Sequence, residues 1–145
     1  MIKKEDIPPI DIEEGKNQYG DINVFLSMMS NFEGMTLNKN LSLMKIAMDR
    51  EDWNEVASEA HSRKGASAFL CAKRLYKICE NIEVASLQED IPKISDNYAL
   101  LIKECFRIKH FIRNYFPETN SLVKQKRLSK TMNQILRFQL LKNIK

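Results

Sequence analysis

A histidine, a lysine and a glycine are spaced so that one helix would carry them on a single face. In the stretch AHSRKGASAFLCAKRLYKICENIE, residues 60–83, Lys64 and Gly65 follow His61 by three and four positions. Residues at these spacings are neighbours on a helix surface. A neutral imidazole is a good nucleophile near neutral pH, and a nearby lysine favours a transferring phosphoryl group. The pattern therefore points to group transfer at His61.

Small residues surround this histidine on the predicted helix. Gly65 would lie in the helix interior, where glycine costs roughly 1 kcal/mol relative to alanine. The missing side chain would let a partner's backbone or a phosphoryl group approach the imidazole. Ala57 and Ala68 fall on the same face as His61. The pattern thus favours close contact with a second molecule.

Helices are the elements that must position this face. The chain has 145 residues with only 4 Gly and 4 Pro, and runs of β-branched residues are scarce, which favours one helical domain. Asp52 followed by Glu55 is a capping box for the helix that carries His61. Apolar residues recur at helical spacing on both sides of Pro92, which would end or bend a helix.

The predicted architecture is all-α. Residues 21–116 read as an antiparallel four-helix bundle, because their helical runs have short connections. Residues 1–20 read as an N-terminal arm with a short helix. Residues 118–145 contain seven Lys and Arg and one Glu, a net charge of +6, which leaves −2 on the rest. We therefore predict a mildly acidic body followed by a basic, helical extension at 117–145.

The motif around the histidine resembles the signature of histidine-containing phosphotransfer (HPt) domains, usually HxLKGxSxxLGAxRL. The resemblance extends over about residues 10–116 and includes the acidic-Trp start of the histidine helix, MKIAMDREDWNEV. It implies a four-helix bundle with the histidine exposed in its middle. The matching residues are His61, Lys64, Gly65, Ser67, Leu70, Ala72, Arg74 and Leu75.

The resemblance implies a phosphorelay intermediate. His61 would accept a phosphoryl group from an aspartate on the receiver domain of a hybrid histidine kinase and pass it to an aspartate of a response regulator. Lys64 would steady the phosphoryl charge, and Gly65 would leave room for the receiver's active-site loops. The Mg²⁺ would belong to the receiver, so this chain is expected to need no metal or cofactor of its own. A Gly-rich phosphate loop is missing from the sequence, so an ATP-dependent kinase is not expected.

Three positions depart from the family pattern. Arg63 stands where the family usually has Leu, and it falls near the core side, where a charge is costly unless its head reaches solvent or a carboxylate. Cys71 stands where the family usually has Gly and must fit a bend that glycine normally makes. Glu83 stands where some members have Gln, and its carboxylate, if it faced His61, would repel a phosphoryl group but could hydrogen-bond the ring.

An apolar surface near His61 is expected to contact the receiver domain. The first bundle helix would contribute to it by helical position, together with the small residues of the histidine helix and the acidic residue on the following helix. The predicted partner-binding residues are Phe25, Met28, Met29, Ala57, Ala68 and Glu83.

Two other classes of function remain as alternatives. A helical adaptor could bind receiver domains without transferring a phosphoryl group. Arg63 and Cys71 would then be signs that the chain has diverged from the members that transfer. Alternatively, residues 118–145 could dock on the bundle or bind a membrane surface, an acidic partner or nucleic acid. Phe138 is the one aromatic residue there, so base stacking is poorly supported and nucleic acid is not expected.

Receiver domains are therefore the expected partners.

No apolar run approaches the roughly 20 residues that span a membrane, and the N-terminus lacks a secretory signal. Cys71, Cys79 and Cys105 have no metal-ligand spacing and indicate reduced thiols. His110, in RIKHFIRNY, lacks neighbours like those of His61 and is assigned no role. We predict a cytoplasmic protein, nuclear as well if the source is eukaryotic.

Overall fold

Six α-helices form the part of the chain that the structure, a computed structural model, describes. It describes residues 7–35 and 39–115, with the side chains of 32–35, 39 and 40 left out. No strand occurs in those ranges, so the all-α prediction is confirmed, while the predicted basic helix at 117–145 lies outside them. The helices are α1 (Ile12–Tyr19), α2 (Ile22–Met35), α3 (Lys39–Asp49), α4 (Trp53–Phe69), α5 (Lys73–Leu87) and α6 (Ile91–Tyr115).

Aspartates begin several of these helices. The Asp52 carboxylate accepts a hydrogen bond from the Glu55 backbone N–H at 3.2 Å, which satisfies one of the free donors at the start of α4. Asp11 does the same for α1, with Glu14 N–H at 3.0 Å. The predicted cap at Asp52 is confirmed. Pro92 lies in the first turn of α6, where its missing N–H leaves no helical bond unmade.

Short left-handed links join α3 to α4, α4 to α5 and α5 to α6. In each link one residue has a positive φ, namely Glu51, Cys71 and Glu89 at 57°, 57° and 55°. At the end of α4, Cys71 N–H donates to Ala68 O and Ala72 N–H donates to Ser67 O, at 3.2 and 3.0 Å. This is a Schellman motif, in which glycine is the usual residue. Cys71 therefore makes the bend at a backbone cost of roughly 1–2 kcal/mol.

The core lies between the inward faces of the helices. α4 packs against α5 and, less extensively, against α3, and α1 packs against α2. None of the described helices is long and apolar enough to cross a membrane. Large side chains that are almost completely buried include Ile10, Phe25, Met29, Met44, Val56, Leu70, Ile82, Ile94, Leu101, Ile108 and Ile112.

The N-terminal helix is attached to the link between α4 and α5. Asp11 N–H donates to Cys71 O at 3.0 Å, and the Tyr19 hydroxyl donates to Phe69 O at 2.8 Å. Lys73 forms an ion pair with Glu14 at 3.0 Å. These contacts hold α1 against the point where the chain turns after the histidine helix.

A buried carboxylate connects α5 with α6. Glu104 is 1% exposed and lies 3.4 Å from Arg74 Nε. Arg107 also donates to Glu104, at 2.9 Å, and reaches the backbone oxygen of Ile7 at 2.8 Å. Arg74, a residue of the HPt-like motif, thus forms an ion pair with Glu104, which lies outside the motif.

Arg63 is a charged residue buried in the core with incomplete hydrogen bonding. Its residue is 4% exposed, and within the described ranges its Nε and Nη2 have no hydrogen-bond partner. Burial lowers the pKa of Arg63, although the nearby Cys105 and Cys79 oppose the shift. The guanidinium therefore carries part of the cost that the sequence predicted for a buried charge, because two of its three nitrogens lack a hydrogen bond to the described residues.

Arg63→Leu is expected to stabilise the protein by about 1–4 kcal/mol, because a buried charge is replaced by an apolar side chain. Thermal unfolding followed by circular dichroism should show a rise of several degrees in melting temperature. The matched control is Arg74→Leu, which should lower the melting temperature because Glu104 loses an ion-pair partner. A lower melting temperature for Arg63→Leu would show that the guanidinium has a compensating partner.

Gly15→Ala is expected to destabilise the protein even though alanine is the better helix former. Gly15 is buried, and an added Cβ would overlap the ring of Phe25, which is itself fully buried. Overpacking of this kind costs about 1–3 kcal/mol, measurable by urea unfolding. Asn17→Ala, at an exposed position of the same helix, is the control. Equal stability of both variants would mean that the Phe25 ring moves without cost.

Candidate functional site

His61 projects outward from the middle of α4. Its side chain is 71% exposed, whereas Val56, Ala60 and Ser67 are buried on the other side of the helix. Ala68, two turns later, is exposed as well. The helix therefore presents the imidazole to solvent, as its periodicity predicted.

Gly65 leaves open space beside the histidine. It is exposed, and a Cβ built on it would meet nothing within 4 Å. Packing inside the described bundle therefore does not require glycine at this position. The cost of glycine in a helix is consistent with a role towards something that approaches from outside.

Glu83 joins His61 to Lys64. One carboxylate oxygen lies 2.6 Å from His61 Nδ1, and the other accepts a hydrogen bond from Lys64 Nζ at 3.0 Å. Glu83 comes from α5, so the cluster bridges two helices. The Lys64 and Glu83 side chains are 20% and 17% exposed. They are therefore largely buried next to an exposed imidazole.

The protonation state of the cluster follows from its contacts. Partial burial acts to raise the pKa of Glu83, but the hydrogen bonds from Lys64 and His61 outweigh it and hold that pKa below its ordinary value. The hydrogen bond to Glu83 likewise raises the pKa of Lys64. An ionised carboxylate only accepts hydrogen bonds, so Nδ1 of His61 carries the proton. In the neutral ring Nε2 then keeps its lone pair and is free to act as a nucleophile.

The predicted partner-binding residues of α2 and α4 divide into two groups. Phe25 and Met29 are fully buried and Ala57 is 6% exposed, so their side chains form core instead of partner surface and that prediction is wrong. Helical position gave a common face but did not show that other parts of the bundle cover it. Met28 is half-buried and Ala68 is exposed, so they are still available to a partner.

Exposed apolar residues that the sequence analysis did not select lie on α5, on the face that carries Glu83, and at the end of α4. Tyr76 and Leu87 stand seven residues before and four after Glu83 on α5, so they share its face. Leu87 is 68% exposed, and Phe69 at the end of α4 is 59% exposed. The signal that could have found them is the position of Glu83, because the helical face that carries it is the one that meets His61.

The cysteines take no part in the site. Burial raises the pKa of Cys79 to about 12 and that of Cys105 to about 11, so both are thiols at neutral pH. The Cys71 thiol is also buried and points to the Gln18 side chain, at 3.5 Å. Among residues 7–35 and 39–115 there is no group of three His, Cys, Asp or Glu that could hold a metal ion.

Comparison with known families agrees with this geometry. The sequence model of the Hpt domain family matches residues 33–113, which include α4, α5 and the whole His61 cluster. This chain belongs to the Hpt domain family. No curated protein and no solved structure gives a significant match. The Hpt match implies phosphotransfer in two-component signalling, where such domains interact with receiver domains.

The structure predicts the tautomer of His61. In the wild-type chain the neutral ring should carry its proton on Nδ1, because Glu83 accepts from that nitrogen. In Glu83→Ala the Nε2–H form should gain population, which long-range ¹⁵N–¹H NMR of the imidazole would detect. The signals of His110 in the same spectra are the internal control. An unchanged tautomer in Glu83→Ala would show that the carboxylate does not fix the ring.

Proposed function

We propose that this Hpt domain is a phosphorelay intermediate in which His61 receives and donates the phosphoryl group. The observation that carries the proposal is the contact between Glu83 and His61 Nδ1 at 2.6 Å. It leaves Nε2 as the free nucleophile on an exposed ring, next to the open space above Gly65. The nucleophile, the group that orients it and open space for an approaching phosphoryl group are thus found together at His61.

The transfer step needs only groups that the two proteins supply. Nε2 of His61 attacks the phosphorus of an aspartyl phosphate, and a P–N bond forms as the P–O bond breaks. The electron pair of that bond leaves with the aspartate carboxylate. The ring keeps its Nδ1 proton, and the adjacent Glu83 carboxylate balances the positive charge that develops on the imidazole. Transfer to the next receiver reverses these steps.

Lys64 balances a negative charge that would otherwise oppose the reaction. A carboxylate 2.6 Å from the ring repels an incoming phosphoryl group, but the Lys64 ammonium lies 3.0 Å from the other oxygen of that carboxylate. The cation reduces this repulsion and remains next to the reacting ring. The Mg²⁺ of the reaction is assigned to the receiver domain, as the family resemblance implies.

The partners in this proposal are the receiver domain of a hybrid histidine kinase and that of a response regulator. The alternative of an adaptor that does not transfer rested on Arg63 and Cys71. Cys71 fits the bend after α4 through the two hydrogen bonds of a Schellman motif. Arg63 is buried and absent from the contacts of the His61 cluster. The geometry of these two residues therefore does not favour loss of transfer.

Phosphoryl transfer can be measured directly. Receiver domains carrying a radiolabelled phosphoryl group are mixed with the wild-type chain, with His61→Gln and with His110→Gln. The wild-type chain and His110→Gln should gain an acid-labile, alkali-stable label, and His61→Gln should gain none, because Nε2 of His61 is the acceptor. Lys64→Ala should slow the labelling, since the ammonium near the ring is lost.

Two results would contradict the proposal. Label that persists in His61→Gln would place the acceptor elsewhere. Binding of receiver domains to the wild-type chain with no label over a broad panel would instead support the adaptor function. Circular dichroism of each variant separates either result from a failure to fold.

A further inference from the structure

A groove lies beside the link between α4 and α5. Its volume is about 410 Å³, within the range of sites that hold a small molecule or a few side chains. Residues of α1 form one wall, and the end of α4 with the start of α5 forms the other. The lining residues are Glu14, Gln18, Ser67, Ala68, Phe69, Cys71, Ala72, Lys73 and Tyr76.

The chemistry of this groove suits an apolar side chain. Alanine and aromatic side chains contribute to its lining, and Phe69 is 59% exposed. The two charged residues in the lining, Lys73 and Glu14, form an ion pair with each other at 3.0 Å. A charged ligand would have to compete with that pair, whereas an apolar group would cover Phe69 and remove its ring from water.

The groove is continuous with the face of His61. Ala68 lines it and lies seven residues after His61 on the same side of α4, which is about 10 Å along the helix. A small domain is about 30 Å across. The groove therefore lies within reach of a receiver domain whose aspartate contacts His61.

We propose that the groove holds an exposed apolar side chain of the receiver domain, and that α1 thereby helps to select the receiver. The inference rests on the proposed function, because it takes the receiver domain as the partner. α1 lies outside residues 33–113, the part that matches the Hpt family model. The receiver-binding surface therefore includes an element beyond the part of the chain that carries the reacting groups.

The wall formed by α1 is fixed before a partner arrives. The Tyr19 hydroxyl donates to Phe69 O at 2.8 Å, and Asp11 N–H donates to Cys71 O at 3.0 Å. A preformed groove loses little conformational entropy on binding, so more of the contact energy contributes to affinity. The same contacts hold α1 where Glu14 and Gln18 line the groove.

Binding of receiver domains to groove variants tests this inference. Isothermal titration calorimetry is carried out with the unphosphorylated full chain and a panel of isolated receiver domains. Phe69→Ala removes the aromatic wall, and Gln18→Trp fills the groove from α1. Each should weaken the binding of the receiver domain by about tenfold or more, as expected for an aromatic contact at an interface centre.

Phe106→Ala is the matched control. Phe106 is 66% exposed on α6, close to the 59% of Phe69, so the same atoms are removed from a similar exposure. This variant should bind the receiver domain within about twofold of the wild-type chain. Phosphorylation of His61 by phosphoramidate should proceed equally in all variants, which shows that the reacting groups are intact.

The possible results separate the two proposals. Unchanged affinity in both Phe69→Ala and Gln18→Trp, or an equal loss in Phe106→Ala, overturns the docking inference. A wild-type chain that binds no receiver domain in the panel overturns it as well. Binding that depends on the groove, but without phosphoryl transfer to His61, supports the docking inference and overturns the proposed function.

Discussion

The contact between Glu83 and the His61–Lys64 pair is the interaction on which the site depends. Its 2.6 and 3.0 Å distances span two helices, so they require a fixed register between α4 and α5. That register is set by the bend at Cys71, which the Schellman motif closes. A shift of one residue along α5 would turn the carboxylate by about 100° around the helix axis and away from the ring.

Contacts far from the histidine help to maintain the register between α4 and α5. Glu104 holds Arg74 at the start of α5, and α1 bonds to the backbone of the link through Asp11 and Tyr19. These contacts act against the unfavourable features of the region, namely Cys71 in the left-handed conformation and a buried Arg63 with two nitrogens that lack hydrogen bonds within the described part of the chain. The histidine helix is thus held in place by its neighbours more than by its own helix propensity.

The residues proposed to react could be selected from sequence because their signal is local. The spacing of His61, Lys64 and Gly65 fixes a common helical face without reference to any other element. The partner surface is a tertiary property, and the prediction failed there. Helical position placed Phe25 and Ala57 correctly on their own helices, but a single helix does not show which side its neighbours cover. The contacts of Glu83 needed the packing of α5 on α4, which only the family resemblance suggested.

A division between chemistry and recognition follows from where these residues lie. The proposed nucleophile His61, its partner Glu83 and Lys64 all lie on α4 and α5, inside the region that matches the family model. A change in any of them would alter the reaction with every partner. The α1 residues at the groove, such as Gln18, are not among the hydrogen-bond partners of the His61 cluster, so on the docking proposal changes there would alter affinity for one receiver without affecting Nε2. The proposed carrier, which would accept from one receiver and donate to another, needs one shared chemistry and separately adjustable affinities.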